Sequence, residues 1–151
     1  MSILAVVRPD SWNFPLFLHV LGAMILVGGL LTGVSSLAFA RGDARFLRLG
    51  YWSLLAVSLP GWILMRVGAE WIYSKEGFGD EDPDWIGIGY ITADLGLLLL
   101  LITLIVTGIA NRRLRGAEGG TSTLARVGAV LTSILLAAYV VAMWAMSAKP
   151  G

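Results

Sequence analysis

Seven side chains with chemistry to offer stand inside or at the ends of long apolar stretches of this chain: His19, Arg66, Glu70, Asp94, Tyr139, Met143 and Met146. A neutral imidazole ligates a metal or a haem iron through one ring nitrogen. A guanidinium grips a carboxylate or a propionate in a forked geometry. Thioether sulfur is a soft metal ligand, and His19, Glu70 and Asp94 together have the makings of a protonatable relay. Arg66 and Glu70 are four residues apart, the spacing at which helical side chains pair. Each also has a plainer role. Arg66 and Glu70 serve as a structural pair near an interface, His19 as a hydrogen-bond partner for a neighbouring helix, and the methionines as packing. Asp94 is the hardest of them to explain as filler, because an unpaired carboxylate in an apolar run should be protonated or matched to Arg66.

These residues need elements to position them, and hydropathy supplies four. Apolar runs cover about residues 12–40, 47–73, 86–110 and 124–147, each long enough for the roughly 20 helical residues that cross a bilayer core. None alternates with the period of a membrane strand. Of 151 residues, 57% are hydrophobic and only 14% charged, so a chain this small cannot cover its own apolar surface and must use lipid as solvent. The fold class expected is all-α, a single integral membrane four-helix bundle.

Charge along the connections sets its orientation. The first connection carries Arg41, Arg45 and Arg48 against Asp43, and the third carries Arg112, Arg113, Arg115 and Arg126 against Glu118. The middle loop, residues 74–85, sets Lys75 against Glu76, Asp80, Glu81, Asp82 and Asp84. Arginine-rich short loops stay in the cytoplasm, which predicts an N-out/C-out protein of the inner (cytoplasmic) membrane with the acidic loop outside. Ala38-Phe39-Ala40 has the form of a signal cleavage site. The apolar run before it is too long for a signal, however, and its basic flank follows instead of preceding, so an uncleaved first helix is expected. Trp12, Trp71, Tyr73, Trp85 and Trp144 fall near the predicted outer boundary, Tyr51 and Trp52 near the inner one. Lys149 reads as an outer anchor, and Gly119-Gly120 as a flexible inner loop.

At about 1.5 Å per residue, His19 lies roughly 10 Å below Trp12, Arg66 roughly 8 Å below Trp71 and Asp94 roughly 13 Å below Trp85. Three helices thus bring ionisable groups to one level in the outer half of the membrane. Helical phase groups His19 with Gly22, Leu26, Gly29, Gly33 and Ser36, a stripe that admits close backbone approach. Leu59, Trp62, Arg66 and Glu70 form a second stripe, and Gly87, Tyr90, Asp94 and Leu101 a third. Thr132, Leu135, Tyr139, Met143 and Met146 form the fourth. Turned inward together, these faces enclose a polar pocket that opens outward. Pro60 interrupts the second helix before the charged pair and predicts a kink.

Composition excludes several functions. With no cysteine, thiol redox chemistry, thiolate metal sites and iron–sulfur clusters are out, and a single histidine precludes a multi-histidine centre in one chain. A net charge of +1 provides no field for nucleic acid.

The segment His19-Val20-Leu21-Gly22 through Gly28-Gly29-Leu30 resembles the first helix of a loose bacterial superfamily. That group includes copper-resistance D-type membrane proteins, HemJ-type protoporphyrinogen oxidases and many uncharacterised four-helix proteins; Leu59-Pro60-Gly61 also looks like the uncharacterised members. The resemblance implies haem handling, with His19 as the important first-helix histidine. HemJ-type proteins are expected to carry a functional lysine in the third helix, where this chain has Asp94 and no lysine, which sets it with the uncharacterised members.

Three functions follow as expectations. One is haem, porphyrin or metal binding, with His19 as ligand, Met143 or Met146 as the second and Arg66 on a propionate. Another is a proton- or ion-coupled oligomeric transporter or channel using His19, Glu70 and Asp94. The last is a non-catalytic accessory or assembly subunit that meets a partner protein or a second copy through glycine-rich helix faces. Binding is favoured over catalysis, because no nucleophile, base and electrophile assemble.

Overall fold

The computed structural model describes residues 10–41, 43–76, 84–115 and 121–148. Most of the acidic loop, Gly119-Gly120 and Lys149 lie outside the described residues. Every described element is helical: a 3-10 turn over Asp10–Trp12, α1 over Asn13–Phe39, α2 over Ala44–Ser53, a π turn over Leu54–Ser58, α3 over Leu59–Glu76, α4 over Asp84–Arg115 and α5 over Thr121–Ala148. The segment Ala44–Lys75 runs as one rod, so four helices of 26–32 residues are long and apolar enough to cross a membrane.

The last three of the four rods outrun the apolar stretches that mark them in the sequence. The second starts at Ala44, three residues before the apolar run, because Asp43 caps it: the Asp43 carboxylate accepts the Arg45 N–H at 2.8 Å. The α4 helix likewise continues to Arg115, since arginine is a good helix former whatever its hydropathy. Arg41, at φ 31°, takes the left-handed conformation that ends α1 and that glycine usually supplies. At Pro60 the rod absorbs the missing donor with a π turn just upstream, where Leu59 N–H bonds Leu54 O five residues back.

Small residues set the packing. In α1 the stripe Gly22, Leu26, Gly29, Gly33 and Ser36 is buried as its spacing predicts. It packs on the second rod: a methyl at Gly22 would strike the Met65 backbone, and one at Gly61 would lie 2.5 Å from Leu26 N. Ser53 Oγ donates to Gly29 O at 2.7 Å across the same crossing. The glycine face of α1 is thereby used within the chain.

Two other stripes are corrected. The buried face of α4 is Gly89, Ala93, Gly96, Leu100 and Leu104, while Gly87, Asp94 and Leu101 are exposed and Tyr90 is half-buried. The helix is turned about 100° from the expected phase, one residue's rotation, because its glycines and alanine let α5 approach where tyrosine and aspartate would hold it off. A methyl at Gly96 would meet the Tyr139 hydroxyl. On α3 the buried positions are Gly61, Met65 and Gly68, so Trp62 and Arg66 sit half-buried at the edge and Glu70 outside. Met143 is likewise more exposed than its stripe implies, since Ala142 and Ala145 take the buried positions of α5.

Candidate functional site

Toward the end of the bundle carrying Lys75 and Ile86, all four rods border one small cavity of about 60 Å³. α1 contributes His19 and α3 contributes Arg66; α4 adds Tyr90, and α5 adds Tyr139, Met143 and Met146. The remaining wall is mostly alanine and aliphatic side chain.

Each polar member is held by a specific neighbour. His19 sits where Gly68 lets α3 press on its backbone; a methyl at Gly68 would lie 2.5 Å from His19 N. His19 Nδ1 lies 2.9 Å from the Met65 carbonyl oxygen. A carbonyl only accepts, so Nδ1 carries a proton, and in the neutral ring Nε2 keeps its lone pair. Arg66 is shared between carboxylates: Nη1 meets Glu70 Oε1 at 2.9 Å and Nη2 meets Asp94 Oδ1 at 3.5 Å. Its guanidinium also lies 4.4 Å over the Tyr90 ring, a cation–π contact. Trp62 Nε1 donates to Ala93 O at 2.9 Å, and the Tyr73 and Tyr90 rings meet edge to face at 5.8 Å. Polar and aromatic contacts therefore bridge α3 to α4 at this level.

Two hydroxyls stand close to this network, Tyr90 beside Arg66 and Tyr139 beside Trp62, without completing a well-formed hydrogen bond. Tyr139 is 4% exposed, and its hydroxyl, like that of Tyr90, is buried with no hydrogen-bond partner among the described residues. Burying an unpaired hydroxyl costs about 1–3 kcal/mol, so both are available to whatever occupies the cavity.

The sequence therefore leads to one place, with two displacements. His19, Arg66, Tyr139, Met143 and Met146 line the cavity, whereas Glu70 and Asp94 do not. Their side chains are 53% and 63% exposed, on the outer side of Arg66, which is 24% exposed. Tyr90 and Trp62 stood on the pocket-facing stripes without being singled out as site residues, and Gly68 and the Met65 carbonyl were not anticipated at all. Tyr90 had a signal, four residues before Asp94 on one helix; a backbone carbonyl has none.

Among the described residues, no three His, Asp or Glu side chains gather to hold a metal ion. A metal here draws on His19 and sulfur. The cavity as it stands is small, about 60 Å³, so a ligand the size of a porphyrin requires the helices to part.

What fold and site define together is a class: a chain helical throughout its described elements, with four helices long and apolar enough to cross a membrane and a small, mostly apolar cavity walled by histidine, tyrosine and methionine. No family model, curated protein or solved structure matches the chain.

Proposed function

We propose that the chain is a multi-pass protein of the inner (cytoplasmic) membrane that holds a single soft metal ion in an outward-facing intramembrane cavity. Arg41, Arg45, Arg48, Arg112, Arg113 and Arg126 gather at one end of the bundle and favour the cytoplasmic side for it. That reading leaves both termini and the cavity on the outer side. Hydrogen bonding of His19 Nδ1 to the Met65 carbonyl is the observation that carries the proposal. A backbone carbonyl on one ring nitrogen fixes the tautomer and orientation that a metal-binding imidazole needs on the other. On the same cavity wall stand Met143 and Met146. One imidazole with two thioethers suits a monovalent ion of the Cu(I) or Ag(I) class, whereas zinc calls for further imidazole, thiolate or carboxylate ligands and the hard cations for oxygen. Binding is favoured over catalysis, because no nucleophile, base and electrophile set assembles among the described lining residues.

Equilibrium dialysis of the purified protein against Ag(I), with elemental analysis, tests this. One silver per chain is expected, lost in His19→Ala and weakened tenfold or more in Met143→Leu or Met146→Leu. No retained silver in the wild type removes the metal reading. A Soret band on adding haem, absent in His19→Ala, would replace the ion with haem and require the helices to part.

A further inference from the structure

Asp94 and Glu70 occupy an unusual surface. Around Asp94 on α4, Ile91, Leu95 and Leu98 are all exposed, and around Glu70 on α3 so are Ile63, Val67 and Trp71. These are the side chains of a lipid-facing wall, yet each half of it carries a carboxylate more than half exposed. Arg66 serves both, so one basic group stands against two acidic ones. Glu70 stands beside Trp71 at the outer boundary, but Asp94 lies deeper, where charged groups face a protein interior, a partner or a water-filled space, not hydrocarbon. This is a surface made to be covered.

We infer that the α3–α4 face around Arg66, Glu70 and Asp94 docks a transmembrane helix of a partner protein that carries one lysine or arginine at the same level. Charge decides among the occupants. A purely apolar helix leaves the second acidic group unmatched, and burying it would add a desolvation cost. A second copy brings its own arginine with its own two carboxylates, so pairing two such faces doubles the excess of acidic groups. A helix with one basic side chain balances the group and gives each carboxylate a partner. It gains as much itself, since a lone lysine or arginine in a span is as costly as an unmatched carboxylate. The exposed isoleucine, leucine and valine side chains on either side provide the close-packed contact that holds helices together in lipid. The glycine face of α1 plays no part, being filled by the chain's own second rod.

This inference rests on the membrane-spanning reading but not on the metal. Recovery of the protein in phosphatidylcholine nanodiscs that resist alkaline extraction checks the membrane reading separately. Fluorescence transfer is then measured in those nanodiscs between labelled protein and synthetic polyleucine helices. The first helix carries one lysine roughly nine residues from its outer end, matching the position of Asp94 below Trp85; the second carries that lysine near its inner end, and the third has none. The outer-lysine helix is expected to associate at least tenfold more tightly than the other two. That advantage should disappear in the double variant Asp94→Asn, Glu70→Gln. Equal association of all three helices would overturn the inference. So would transfer between two labelled copies of the chain that the same double variant abolishes, because the face would then belong to a homodimer. The contrast among the three helices is read on unaltered protein, so the test survives a variant that fails to fold.

Discussion

The imidazole of His19 spends one nitrogen on a neighbouring backbone and keeps the other free, and the local chemistry of the cavity follows from that division. The Tyr139 hydroxyl is the opposite case, a buried donor that the chain itself leaves unused. Tyr139→Phe should therefore leave thermal stability in detergent unchanged or raise it by up to about 1 kcal/mol. A loss of more than about 1 kcal/mol would mean that the hydroxyl is bonded to a ligand or an ordered water in the apo protein. Arg66 makes the reverse prediction. Arg66→Gln strands two carboxylates and should lower the melting temperature, and adding Asp94→Asn should recover part of the loss, since the pair couples directly at 3.5 Å. Independent, additive effects in that cycle would show that the contact carries no energy. His19 and Arg66 were legible in the sequence as costly types in apolar runs. The tautomer was not, because it depends on a carbonyl 46 residues away.

At the scale of elements, the crossing of α1 with α3 positions His19, and glycines make that crossing possible. At Gly68 an added methyl would lie 2.5 Å from His19 N and 2.8 Å from His19 Cα, both backbone atoms that cannot swing aside. Gly68→Ala should thus destabilise the protein by about 1–3 kcal/mol and weaken silver binding as His19 shifts. Gly28→Ala is the matched control, since a methyl there meets nothing within 4 Å; it should alter neither property. Thermal unfolding and dialysis of the two variants side by side check this, and equal losses in both would contradict it. The phase of α1 could be read in advance because its glycines and serine mark the packed face. The phase of α4 could not. Lipid and protein interior are both apolar, so amphipathicity gives no compass there. Asp94 and Tyr90 suggested an inward face, whereas Gly89, Ala93 and Gly96 set the true one. Helix ends were missed for a related reason: hydropathy marks what lipid can cover, but Asp43 and the arginines decide where the coil stops.

For the whole molecule, the arrangement of four long helices was the most legible feature, because length and apolar composition suffice for it. Orientation rests on the arginine asymmetry and is open to direct test. The chain has no cysteine, so single introduced thiols report without background. Lys75→Cys should react with a membrane-impermeant maleimide on intact cells, and Arg45→Cys only after permeabilisation. The opposite pattern would invert the protein and turn the cavity toward the cytoplasm. The central claim is narrower: His19, Met143 and Met146 act together on one ion. X-ray absorption at the copper edge of Cu(I)-loaded protein addresses it most directly, because nitrogen and sulfur scatterers are distinguished and counted around the metal itself. One nitrogen and two sulfurs are predicted for the wild type, with no retained copper in His19→Ala. A shell of oxygen or nitrogen alone, or a spectrum indifferent to His19→Ala, would contradict the account.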